Sequence, residues 1–196
     1  MKFLVSVSAF ALLFAGDVAL AGETARSIKL AQATRQTPAA TPTATAELKT
    51  TDGKDAGKVT LTQTSSGVRL QLALKGLPEG EHAFHVHAVG KCEPPFTTAG
   101  PHFNPGQKKH GKTNPEGHHA GDMDNIRVAA NGTVSLTVEN KDITLEKGKP
   151  NSVFQDAGTA IVVHAGQDDY KTDPAGNAGD RIACGVITEA QASGTR

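Results

Sequence analysis

From residue 46 onward the chain alternates short β-branched apolar runs with turn residues. The runs predict strands over residues 46–50, 58–64, 68–74, 82–89, 126–130, 133–138, 160–164 and 182–188. Asn131-Gly132, between two of them, is a hairpin signal. No later stretch keeps a 3.6-residue apolar period for three turns, and no internal repeat is present. The expected class is therefore all-β, an antiparallel sandwich or barrel. Two segments fall outside the strand pattern. Residues 90–124 hold five of the ten prolines and are far longer than an ordinary connection, so something other than a sheet must order them if they are ordered. Residues 167–180 form a second, shorter segment of this kind.

The N-terminal part reads differently. Lys2 precedes a mostly apolar run over residues 3–16, Asp17 ends it, and Ala19-Leu20-Ala21 supplies a small-residue cleavage site. The run is too short to span a bilayer and fits a secretory signal peptide over residues 1–21, cleaved near Ala21. Residues 22–45, rich in Ala, Thr and Pro, read as a flexible tether to a domain at 46–196. The expected location is periplasmic or otherwise exported, with no membrane span in the mature protein.

Twenty Lys plus Arg balance twenty Asp plus Glu. Loss of residues 1–21 removes only Lys2 and Asp17, so the mature chain stays neutral. Nucleic-acid binding and attachment to a membrane surface by overall charge are excluded. The 196 residues allow about one domain after processing, and the absence of Trp argues against an aromatic helical core.

The chemistry concentrates in the histidines, all eight of which lie between residues 82 and 164. His85 and His87 are two apart in a strand-like run, so both project from one face while Phe84 and Val86 project from the other towards a core. The long segment adds His102, His110 and His119, with Asp122 three residues further on. Imidazole nitrogen and carboxylate oxygen suit zinc, and such a site would order a loop that lacks a sheet partner. His164 ends the apolar run 160–163. Cys92 and Cys184, the only cysteines, imply a disulfide in an exported chain. Closing a loop of about 93 residues, it would stabilise the fold by roughly 4–5 kcal/mol in the chain-entropy account.

Six separated blocks resemble the copper/zinc superoxide dismutases: Gly80-Glu81-His82-Ala83-Phe84-His85-Val86-His87, Gly100-Pro101-His102-Phe103-Asn104-Pro105, Lys109-His110-Gly111, His119-Ala120-Gly121-Asp122, Val162-Val163-His164 and residues 176–186. They run in order across residues 46–190. The resemblance implies a Greek-key antiparallel β-sandwich or barrel, immunoglobulin-like, with two long functional loops. It implies one copper on His85, His87, His102 and His164, and one zinc on His102, His110, His119 and Asp122, His102 being shared. Asp168 matches the carboxylate that bonds a histidine of each metal site, and Arg181 the arginine beside copper. The implied activity is conversion of superoxide to oxygen and hydrogen peroxide, with His102 and Arg181 catalytic. An all-imidazole set suits redox-active copper, and a set with a carboxylate suits redox-silent zinc.

His118 is the neighbouring rival of His119; the family spacing His-x-x-Asp selects the latter. Residues 169–176 are shorter than the charged loop of the eukaryotic branch, leaving Lys108, Lys109, Lys112 and Lys171 as candidates to steer the anion. The chain resembles the bacterial exported branch, and homodimer and monomer both remain open. A metal-buffering domain without enzyme activity would keep the histidines but has no use for Arg181. A zinc hydrolase would need an open zinc position.

Overall fold

The computed structural model describes residues 41–190. The expected leader and residues 22–40 of the expected tether lie outside them. Within the described residues there are ten strands and no α-helix: β1 Thr43–Thr50, β2 Asp55–Gln63, β3 Val68–Leu74, β4 Gly80–His82, β5 Phe84–His87, β6 Ile126–Val128, β7 Val134–Asn140, β8 Ala160–His164, β9 Arg181–Val186 and β10 Thr188–Glu189. A single 3-10 turn spans Thr97–Ala99.

The main sheet runs β5-β8-β9-β1-β2-β3-β7, with β10 on β1, and all its pairs are antiparallel. The crossings that place β7 beside β3 and β9 beside β1 give Greek-key connectivity. The all-β expectation holds. Alternation explains the layering: Val68, Leu70, Leu72 and Leu74 point inward from β3 while Arg69, Gln71 and Ala73 face out. Ala44, Ala46 and Leu48 of β1 and Val59 and Leu61 of β2 complete one side of the core.

Three expectations are corrected. The strand at 82–89 is two strands: β4 pairs with β6, the chain passes through Ala83, and β5 pairs with β8. One strand-like run thus serves two sheets. Asn131-Gly132 does form a turn, with Gly132 at φ +76 and Gly132 N–H donating to Ala129 O at 2.8 Å. No hairpin ladder follows it, because β6 pairs with β4 and β7 with β3. The first strand begins at Thr43 and not at residue 46, since fully buried Ala44 belongs to its inward face.

The site is positioned by β5, β8 and β9. Register pairs Phe84 with Val163 and Val86 with Ile161, and all four enter the main core. His85 and His87 therefore leave the opposite face, beside Val162 and Ala160. That face carries a second apolar cluster of Phe96, Ala99, Ala160, Val162 and Cys184, with Cys92 packed against it. A Cys92–Cys184 disulfide ties the long loop to β9, at a Cα–Cα distance of 5.6 Å.

Candidate metal centre

Backbone pairing brings the loop histidines to β5. Ala88 N–H donates to Pro101 O at 2.9 Å and Phe103 N–H to Val86 O at 2.8 Å, so residues 101–103 run antiparallel beside the strand, with His102 opposite His87. Phe103 anchors this segment in the main core. Gly121 crosses so close to β5 that a Cβ there would lie 2.2 Å from Val86 O, which accounts for glycine at this position.

Two donor sets result. His85, His87, His102 and His164 form the first, and His102, His110, His119 and Asp122 the second; within each, one ligand-type atom from every residue lies within 4.8 Å of the others. All seven residues are buried. His118 joins neither. It lies further out and faces Asp142 Oδ2 at 3.0 Å.

In the first set the outward-facing nitrogens are committed. His85 Nε2–H donates to Asp168 Oδ2 at 2.9 Å, His87 Nδ1–H to Gly100 O at 2.9 Å, and His164 Nδ1–H to Gly179 O at 3.3 Å. These bonds fix the tautomers and leave lone pairs on the inner nitrogens. The Nε2 atoms of His87 and His164 then face each other at 3.3 Å, and His85 Nδ1 and His102 Nε2 are buried without any hydrogen-bond partner. An unsatisfied buried polar atom costs about 1–3 kcal/mol. A soft cation among four imidazoles satisfies all of these lone pairs, so the residues fit copper.

In the second set, the Nδ1 atoms of His102, His110 and His119 converge on Asp122 Oδ1 at 2.8, 3.0 and 3.2 Å. The other oxygen, Oδ2, accepts the backbone N–H of Gly111 and of His119, each at 3.0 Å. Three imidazoles and one oriented carboxylate supply four donors of the kind zinc takes.

Asp168 joins the two sets. Its Oδ2 receives His85 and its Oδ1 receives His110 Nε2–H at 3.0 Å. Asn125 holds it in turn, donating Nδ2–H to Asp168 O at 2.9 Å and accepting Asp168 N–H at 2.8 Å. Electrostatics follow from burial and these bonds. Burial keeps His87 well below the ordinary histidine value, and burial with neighbouring imidazoles lowers His102 to about 4 and His164 to about 3. Burial opposes charge on His110 too, but bonds to Asp122 and Asp168 outweigh it and raise its pKa to about 9. The same bonds hold both carboxylates well below the usual range, against the effect of burial. The first set thus prefers neutral donors. In the second, the ionised Asp122 stabilises a protonated His110.

Residues 55–187 match the family model described as copper/zinc superoxide dismutase (SODC). The chain belongs to that family. Copper and zinc are accordingly its cofactors, in agreement with the two donor sets. It is 57% identical over 144 residues to "Superoxide dismutase [Cu-Zn] 2" of Aquifex aeolicus, covering 72% of this chain and 84% of that one. It is 46% identical over 147 residues to the Caulobacter vibrioides "Superoxide dismutase [Cu-Zn]", covering 74% and 84%. Among solved structures, a SOD-like protein from Bacillus subtilis, in a double mutant that introduces two histidines, matches with a TM-score of 0.71 at 38% identity. That match covers 72% of this chain and 95% of the other.

In this copper/zinc superoxide dismutase Arg181 stands opposite His164 across the β8–β9 pair. Its Nη1–H donates to Phe96 O at 2.7 Å and its Nη2–H to Gly100 O at 2.8 Å, and burial lowers its pKa. Among the described residues no carboxylate pairs with it, so its charge remains available to an anion. Of the four steering candidates, Lys112 pairs with Asp124 at 2.7 Å, and Lys108 lines a hollow of about 600 Å³ together with His102 and His119. Sequence reasoning missed Asn125 and the Gly100 carbonyl. Asn125 follows the Asp122 block by three residues, but a backbone acceptor leaves no compositional mark.

Proposed function

We propose that the chain converts two superoxide anions and two protons into oxygen and hydrogen peroxide, with His85, His87, His102 and His164 holding copper and His102, His110, His119 and Asp122 holding zinc. The observation that carries this reading is His102: its Nε2 lies unpartnered in the first set while its Nδ1 faces Asp122 in the second. Copper, when bound, supplies a one-electron cycle that oxidises one superoxide and reduces the next; zinc does not change oxidation state.

The chain's residues do the rest. The Arg181 guanidinium attracts and orients the anion through its charge and the N–H groups that its bonds to Phe96 O and Gly100 O leave free. His102 Nε2, when not engaged in holding copper, would take up a proton from solvent and pass it to the reduced substrate; the second proton comes from solvent directly. Asp168 fixes the rings of His85 and His110, so the two donor sets keep their separation through the cycle. No helix among the described residues is long and apolar enough to cross a membrane. Export, with cleavage near Ala21, is the reading the apolar run at 3–16 supports, and the disulfide suits an oxidising compartment. Metal analysis of the exported protein, coupled to superoxide consumption, tests the proposal. One copper and one zinc per chain with catalytic consumption are expected; a fully metal-loaded protein that leaves superoxide decay unchanged contradicts it.

A further inference from the structure

Phe96 combines three features that the metal site does not require of an aromatic residue. Its backbone is left-handed, with φ 68° and ψ 14°, a conformation unfavourable for a bulky side chain. Its ring is fully buried in the second cluster with Ala99, Ala160, Val162 and Cys184. Its carbonyl accepts Arg181 Nη1–H at 2.7 Å.

The local geometry links them. Phe96 N–H donates to Glu93 O at 2.6 Å and closes the turn before the 3-10 turn Thr97–Ala99. Phe96 and Gly100 flank that 3-10 turn, and each presents its carbonyl to one prong of the guanidinium. Gly100 O is also held by His87 and needs no side chain. Phe96 O has no such second anchor near the metal set. Ala99 N–H reaches it only from within the turn, at 3.1 Å. What fixes that carbonyl to the body of the protein is the ring, wedged against β8 and the disulfide.

We infer that Phe96 is a positioning residue for Arg181: its buried ring pins the left-handed backbone that aims the Phe96 carbonyl at the guanidinium. This deepens the proposed function, and it rests on Arg181 being the anion-holding group. Neutral acceptors leave the charge uncompensated, so the ring sets the direction of the arginine without weakening its pull on an anion.

The test uses the metal-loaded, disulfide-intact protein and its Phe96→Leu, Phe96→Ala and Phe96→Gly variants. Phenylglyoxal modification of Arg181, read by peptide mass spectrometry against exposed Arg69 and Arg127, reports how tightly the guanidinium is held. Optical titration with azide reports anion binding at copper. In the Ala and Gly variants Arg181 should react about fivefold faster and azide bind about fivefold more weakly, as expected when a charge-assisted bond is loosened. The Leu variant, which keeps an apolar plug of smaller size, should fall between them and native. Copper, zinc and the disulfide should be unchanged.

Gly accepts the backbone angle without strain, so a Gly variant that behaves as native would place the aim in the turn and overturn the inference. An Ala variant with native reactivity and azide affinity would overturn it as well. If Ala and Gly fail to hold their metals, the Leu variant decides by the same two readings. A native protein that does not consume superoxide, yet shows the Phe96 dependence of Arg181 reactivity, would sink the functional reading and leave this inference standing.

Discussion

His85 and His110, members of different donor sets, donate to opposite oxygens of the same Asp168 carboxylate, at 2.9 and 3.0 Å. One side chain from the short loop therefore sets the ring angle of a copper-type and a zinc-type donor together. Whatever moves Asp168 should disturb both sets at once.

Gly176 offers a way to move it. Its φ is +65°, and a Cβ there would lie 1.9 Å from Asp168 Oδ1 and 2.8 Å from His110 Nε2. Gly176→Ala should lower zinc affinity by about 10- to 100-fold, the range seen when a partner of a metal-bound histidine is lost. Gly148, at φ +76° with nothing within 4 Å, is the control. Gly148→Ala bears only the backbone cost of about 1 kcal/mol and should leave zinc binding unchanged. Competitive chelator titration distinguishes the two; equal zinc affinities would show that the loop yields at Gly176.

Replacing His119 or Asp122 should deplete zinc, by at least about a hundredfold in affinity, while His85, His87 and His164 continue to hold copper. Replacing His118 should not, since that ring faces Asp142 outside both sets. Metal analysis of the three variants checks the assignment, and normal zinc in the Asp122 variant would refute it.

Much of this was legible in the chain. β3 and β8 match their predicted limits to the residue, because one has strict alternation and the other an unbroken apolar run closed by His164. The division at Ala83 was not legible, since no turn residue marks it and only the distant partners, β6 and β8, separate the two strands. The turn at Asn131-Gly132 shows the same limit: turn chemistry is local, strand pairing is not. In the site, the i, i+2 pair His85 and His87 announced a shared face. Asn125 and Gly100 O act through hydrogen bonds to backbone or from it, and no residue pattern announces those.

Reduction of Cys92–Cys184 should lower thermal stability, by up to about 4–5 kcal/mol on the chain-entropy account, and expose residues 90–124 to protease. Cys92 and Cys184 border the same apolar cluster as Phe96, so the loop should detach from β8 and β9 first. Cleavage mapping after verified reduction checks this; an unchanged cleavage pattern would argue that apolar contacts alone hold the loop.

The metal-free form should be acid-sensitive. His102 near 4, His164 near 3 and His87 well below normal all have folded values below their unfolded value of about 6.5. Their contribution is present above about pH 6.5 and is lost as pH falls through the folded values. His110 has the opposite sign: raised to about 9, it contributes fully below about pH 6.5 and loses that contribution as pH rises through about 9. Thermal melts of metal-free protein from pH 3 to 10 should therefore fall on both flanks, more steeply on the acid side. A melting temperature constant between pH 6.5 and 4 would contradict the buried neutral histidines.

In the proposed mechanism Arg181 separates an enzyme from a metal store, because its charge would attract superoxide and slightly oppose a bound cation. Pulse-radiolysis kinetics on metal-replete native, Arg181→Ala and Arg181→Glu proteins across a salt series measures this directly. The native rate constant should be the highest, Ala lower by about tenfold or more and Glu lower still, with copper and zinc content equal in all three. Rising ionic strength should slow the native protein more than the Ala variant, since screening acts on a field the variant has partly lost. Equal rates for the three proteins at every salt concentration would contradict the account, since Arg181 would then have no part in drawing superoxide to the site.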